Sequence, residues 1–465
     1  MQNQSKQGHT AGYIRAQKDK LMQSVRGSHP DPALDTFYKG MSALCSRPES
    51  CINHMHLNAI IGATAKAWRT ARVRFPQQKQ KQAHDQMHAF LTKAFQSLQV
   101  LLPDTEARQA ANMLWSSAQL GLNPDALVPG MTDSLARQFM ADIDAADAQH
   151  FANVLEACAK LQLSPCHGSL CKTILKHLAT ADLSNFEPRT VANILHSLAT
   201  MPAAAPSREV LDALCKHFEV LLKSRQAVEL PNAQSIANTM WALSKLRHAP
   251  SDELGMSMVG RMVALCRVPR QQPSPQAISN VLLACAKLGL PAKQAYIDSL
   301  ASFQLSLDRQ HISKQDYANT AWSLAVLGHL REAQFGFVLD QLSALLVNYR
   351  DPSQSSLLEL VALTQLYQAL DWLQPPQTAD TQQGKTWLNL PRNLGSLGFR
   401  PACTAKPHPA AQLVCSALRH MCLRFEAMPA ISGYRAAAVL EPIGSRDPIV
   451  VSFVSNHHLN NKASR

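Results

Sequence analysis

The stretch ANMLWSSAQLGL, residues 111–122, recurs along the chain. It returns as ANVLEACAKLQL from Ala152, ANILHSLATM from Ala192, ANTMWALSKLRH from Ala237, SNVLLACAKLGL from Ser279 and ANTAWSLAVLGH from Ala318. A weaker copy, LNAIIGATAKAW, starts at Leu57. The asparagines Asn112, Asn153, Asn193, Asn238, Asn280 and Asn319 are separated by 41, 40, 45, 42 and 39 residues. A period near 40 is that of a helical hairpin that stacks on its neighbours, since one hairpin alone cannot bury its apolar face. The interval from Asn58 to Asn112 is 54 residues, which predicts a loop insertion there.

Each copy should be one helix. Ser274 before Pro275 reads as an N-cap with proline in the first turn, and Ser313 with Asp316 as a capping box. Gly121, Pro202, Gly289 before Pro291, and Gly328 mark the ends. Amphipathic stretches from Arg208 and Phe335 supply second helices. With Asn as position zero, offsets one, two, five, six and eight are apolar or small, and at ~100° per residue they form one packed arc. Offsets three and seven lie on the other side and vary. They are Trp115 with Gln119, Glu156 with Lys160, His196 with Thr200, Trp241 with Lys245, Leu283 with Lys287, and Trp322 with Val326.

The i, i+4 spacing puts each pair on one patch. Trp and His offer stacking platforms, while Lys, Gln, Thr and Glu hydrogen-bond base edges or phosphates. An exposed face drifting freely between repeats would look similar pair by pair; the array as a whole reads as a ligand surface. The recurring Asn fits a structural ladder, bonding a backbone carbonyl of the next repeat, better than ligand contact.

Composition sets the frame. The chain has 465 residues, long for one core, so two or three domains or an extended array are expected. At 6% aromatic content, helices are favoured over sheets. No apolar run reaches the ~18 residues of a membrane span. The net charge of +12 suits a polyanionic partner, and equally a generally basic organelle protein. Lys66, Arg69, Arg72, Arg74, Lys79 and Lys81 cluster without an acid. The first thirty residues hold Lys6, Arg15, Lys18, Lys20 and Arg26 against Asp19, as an organelle transit peptide or a disordered basic tail would. Eleven cysteines with no CxxC pair read as reduced thiols rather than a zinc site. P-loop, dinucleotide, HExxH and GxSxG signatures are absent, and the 18 His are dispersed, so no enzyme chemistry and no cofactor are expected.

The block A-N-x-L-W-A-L-A-K-L-G at this interval resembles the octotricopeptide repeat proteins of green algae, over about Leu57 to Leu373. The resemblance implies an α-solenoid of right-handed type that binds single-stranded organellar RNA and acts in transcript maturation, stability or translation. The chloroplast is the implied location, with the mitochondrion as alternative. LLELVALTQLYQALDWL from Leu357 looks like the degenerate repeat that precedes a RAP domain in this family.

A proline-rich linker, 374–409, then leads to a partial α/β segment, 410–465: a helix from Ala410 and a strand pair from Gly433 and Pro448. RAP domains look like a restriction-endonuclease-type fold with clustered metal-binding acids. Here Ala437, Ser452 and Val454 stand at the acid positions, His458 matches the family's His, and Leu459 replaces its Phe. The resemblance therefore implies no metal and no nuclease activity. Ending at Arg465 before such a domain would finish, the segment is expected to be a truncated gene product or a decayed domain.

The domains so read are a basic segment 1–50, a repeat array 51–373, the linker and the RAP-like segment. Bases are expected at the offset-three and offset-seven pairs, with phosphates at Arg108, Arg247, Lys66 and Arg69. A protein-binding scaffold of the same architecture is the alternative, and a nuclease acting through the terminal segment a weaker one. Neither a membrane nor a small-molecule substrate is expected.

Overall fold

The motif is a helix in every copy because each supplies a start, an apolar arc and a stop at constant spacing. In the computed structural model the residue six before the Asn is the N-cap each time: Glu106, Asp147, Glu187, Asn232, Ser274 and Ser313. Ser274 Oγ accepts from Ala277 N–H at 3.2 Å, with Pro275 in the first turn, and Ser313 with Asp316 forms the capping box. Nine residues after the Asn the backbone turns left-handed in five of the six copies: Gly121, Gln162, Arg247, Gly289 and Gly328. Pro202 occupies that place in the remaining copy, and its helix stops at Thr200.

The structure describes residues 2–24, 31–46, 52–71, 77–163, 168–201, 206–224, 230–308 and 312–328, with short strand segments between 425 and 451. The chain divides into two units, Met1–Glu229 and Leu230–Arg465.

The first unit holds α1 (Gln2–Ser24), α2 (Asp31–Cys45), α3 (His54–Ala71), α4 (Gln77–Leu101), α5 (Ala107–Leu120), α6 (Pro124–Leu127), α7 (Met131–Ala141), α8 (Ala148–Leu161), α9 (Gly168–Thr180), α10 (Pro188–Thr200) and α11 (Arg208–Lys223). The motif helices pack in series, α3 on α5, α5 on α8 and α8 on α10. Their partners form a second layer, α7 against α9 and α9 against α11. The same scheme extends to the amino terminus, where α1 packs on α3 and α2 on α4. Of the basic residues read from sequence as a leader or tail, Lys6, Arg15, Lys18 and Lys20 lie on α1, while Arg26 lies outside the described residues.

The second unit holds α12 (Ala233–Leu246), α13 (Asp252–Cys266), α14 (Pro275–Leu288), α15 (Gln294–Ser306) and α16 (Lys314–Val326). Here α12, α14 and α16 pack in order, with α13 on α15. Among the described residues five short strands follow: β1 (Phe425–Ala427), β2 (Ala430–Ile431), β3 (Tyr434–Arg435), β4 (Ala438–Leu440) and β5 (Ile449–Val451). β4 pairs antiparallel with both β1 and β5, and β2 with β3. The helix expected from Ala410 meets strand β1 at Phe425; its remainder, the helices expected from Phe335 and Leu357, and the proline linker lie outside the described residues.

Two expectations change. The extra residues between Asn58 and Asn112 fall largely in helix: α3 has 18 residues, against 13 or 14 in the other motif helices, and its partner α4 has 25, against 11–16 in the other partner helices, while residues 72–76 lie outside the described residues. Helix absorbs the insertion because LTKAFQSLQVL, from Leu91, keeps burying residues such as Phe95 and Leu98 turn after turn. The packed arc is also wider than the apolar pattern suggests. Offsets one, two and five are buried in all six copies, but so is offset four: Ser116, Ala157, Ser197, Ala242, Ala284 and Ser323. Only Ser or Ala occurs there, as expected where adjacent helices approach closely.

Candidate nucleic-acid interface

The offset-three and offset-seven residues do emerge together, and in the first unit they are bonded to one another. Glu156 on α8 is the hub. Its carboxylate accepts from Trp115 Nε1 at 3.0 Å and from Gln119 Nε2 at 3.0 Å, both on α5. Lys160, one turn along α8, pairs with it at 2.6 Å and donates to Gln119 Oε1 at 3.2 Å. Burial by itself pushes the Glu156 carboxyl up; the Lys160 ammonium and the bonds from Gln119 and Trp115 outweigh it and hold the group below the usual carboxylate value. His196 on α10 lies within electrostatic reach of both Glu156 and Lys160. Thr200 turns its hydroxyl back onto the carbonyls of His196 and Ser197. The pairs of α5 and α8 therefore form one bonded network rather than independent units, and Lys160 already has its counter-ion.

The second unit differs in kind. Lys245 sits 5.8 Å from the Trp241 ring centroid, a cation–π distance. Burial, and then the like charge of Lys245, pull the Lys287 ammonium below the ordinary lysine value. Among the described residues neither lysine is in an ion pair. The variable positions of α12, α14 and α16 carry no acid at all. Leu283 is buried at 5% exposure, so it belongs to the packing and is withdrawn from the contact set. Trp322 has its indole N–H buried without an acceptor among the described residues, and Val326 is half-buried beside it on α16.

One rung of the expected asparagine ladder is present among the described residues, with a different acceptor from the one expected. Asn153 Nδ2 donates to Asn112 Oδ1 at 3.0 Å, side chain to side chain, and Gln149 donates to Asn153 Oδ1 at 2.8 Å. Backbone carbonyls on a motif helix are already engaged within it, so the neighbouring amide is the acceptor left at that face. In the second unit Gln315 donates to Asn319 Oδ1, and Ser279 Oγ to Asp316 at 2.8 Å ties α14 to α16.

The four phosphate candidates fall in different settings. Lys66 and Arg69 are exposed on α3. Arg108 is spent on a surface pair with Glu106 at 3.3 Å, and Arg247 is the exposed left-handed C-cap of α12. Sequence reasoning missed Lys18 on α1, which joins Lys66 and the α5 face around a cavity; helical spacing within α1 gave no sign of it. A larger cavity of about 1190 Å³ lies between residues 182–188 and α11 and involves none of the variable pairs. Among the described residues no helix is long and apolar enough to cross a membrane, and no three potential metal ligands cluster. No family model and no curated protein matches this chain.

Proposed function

We propose that the chain binds single-stranded RNA along the variable face of its motif helices and acts post-transcriptionally on organellar transcripts, in processing, stability or translation, without a catalytic step of its own. The chloroplast is the proposed location, with the mitochondrion as alternative. The observation that carries the reading is the face of α12 and α14, where Trp241, Lys245 and Lys287 combine an indole with two ammonium groups and no acid. A net charge of +12 and the octotricopeptide-like repeat support the same ligand. In this reading the hairpins form a right-handed solenoid, and the RAP-like segment, lacking acids at 437, 452 and 454, serves as binding surface.

The experiment is fluorescence anisotropy of a labelled single strand, and of its duplex, titrated with full-length protein at several salt concentrations. Single-strand binding that weakens linearly on a log–log salt plot is expected. Equal preference for the duplex, or no RNA binding, sinks the reading and leaves a protein-binding scaffold.

A further inference from the structure

In the first unit α1, α3 and α5 enclose a cavity of about 240 Å³. We infer that this cavity, bounded by Lys18, Asn58, Gly62, Lys66, Asn112 and Trp115, receives one unstacked nucleotide of a bound RNA strand. The inference rests on the proposed RNA-binding function and names where one residue of that ligand sits.

The cavity exists because of a local change in side-chain size. Between α5 and α8, Trp115 faces Glu156 and donates its indole N–H to it. Between α3 and α5, the same Trp meets Ala59, Gly62 and Ala63 across the gap. A Cβ built on Gly62 would come no nearer than 3.8 Å, to Ser116 Oγ, an ordinary contact, so a side chain can start there without a clash. The volume equals roughly eight waters, and it falls just below the ~300 Å³ at which drug-sized ligand pockets begin. A single nucleotide matches that size.

The lining has the three kinds of group such a ligand needs. Trp115 is held by its indole N–H on Glu156, so its ring lines the cavity in a fixed attitude without an induced rearrangement. Asn112 has its Oδ1 engaged by Asn153, which orients the amide and leaves its own N–H groups for a base edge; Asn58 stands opposite on α3. Lys18 and Lys66 supply charge from two helices, and among the described residues neither has an ion-pair partner. Stacking surface, amide edge and paired cations in a concavity are the elements by which single-stranded RNA is read.

The test compares the full chain with Gly62→Leu, which fills the cavity and removes no charge; because Gly62 stands at offset four from Asn58, thermal unfolding first checks that the variant is folded. Anisotropy of a labelled single-stranded RNA should show affinity about tenfold lower or worse, the scale of one lost stacking contact, with an unchanged salt slope. Ala59→Leu fills the same space one turn earlier and should act alike if Gly62→Leu disturbs folding. Photocrosslinking of 4-thiouridine RNA to wild-type protein should label peptides of α1, α3 or α5.

If wild-type protein binds RNA, both variants match it and the crosslinks map elsewhere, the cavity proposal fails while RNA binding stands. Absence of RNA binding by wild type removes both. Saturable binding of a nucleoside monophosphate without RNA binding also overturns the proposal, by revealing a small-molecule site.

Discussion

Glu156 is the residue on which the first unit's variable face turns. One carboxylate takes the Trp115 indole, the Gln119 amide and the Lys160 ammonium. Replacing it with Ala should cost about 1 kcal/mol, the exposed flank of the pair being discounted for screening. The sign with pH follows from its depressed pKa. Its stabilisation is complete above the unfolded carboxylate value and is lost as pH falls through the lower folded value. The thermal-unfolding gap between wild type and Glu156→Gln should therefore narrow as pH is taken below about 4.5. A gap that widens with acid would contradict this network.

Gln162 and Arg247 adopt φ of 47° and 58° at the position where Gly121, Gly289 and Gly328 sit in other copies. A side chain in that region carries a penalty that glycine lacks. Gln162→Gly should raise stability by about 0.5–1 kcal/mol in chemical denaturation, the gain being partly offset by a looser unfolded chain.

At the scale of elements, the offset-four residues set how closely motif helices approach. Ala157 on α8 and Ala284 on α14 are buried at 0% exposure. Enlarging either to Leu in so tight a seam should destabilise by about 1–3 kcal/mol, whereas the same change at exposed Ala141 on α7 should be near neutral. Urea midpoints of the three variants decide the matter. The seam was visible in the sequence as an unbroken Ser/Ala column. Its importance was not, because small residues carry no hydrophobic signal and count as neutral in an amphipathic pattern.

For the whole molecule, the two units predict different electrostatic behaviour toward RNA. Lys160 already has an intramolecular partner, whereas Lys245 and Lys287 face each other's charge with no acid at the variable positions around them. Lys245→Gln with Lys287→Gln should reduce the salt slope of RNA binding by about 1.4, and Lys160→Gln by much less, since each counter-ion released from single strands contributes ~0.7. Equal slopes for the two variants would mean that the face of the second unit does not carry the contact.

Repetition alone determined the helices. Caps, apolar arc and stop recur at the same offsets from each Asn, and such signals are local, acting within about four residues along one helix. The sequence likewise showed that offsets three and seven share a side of the helix. What a residue on that side touches depends on a helix some 40 residues away and on the size of the groups between. Only the tertiary structure decided that Glu156 binds Trp115, that Leu283 is buried, that Asn153 bonds Asn112, and that Lys18 comes to Lys66 around an open cavity. Those facts are matters of ångströms between helices, and periodicity specifies direction around a helix without specifying distance across to the next.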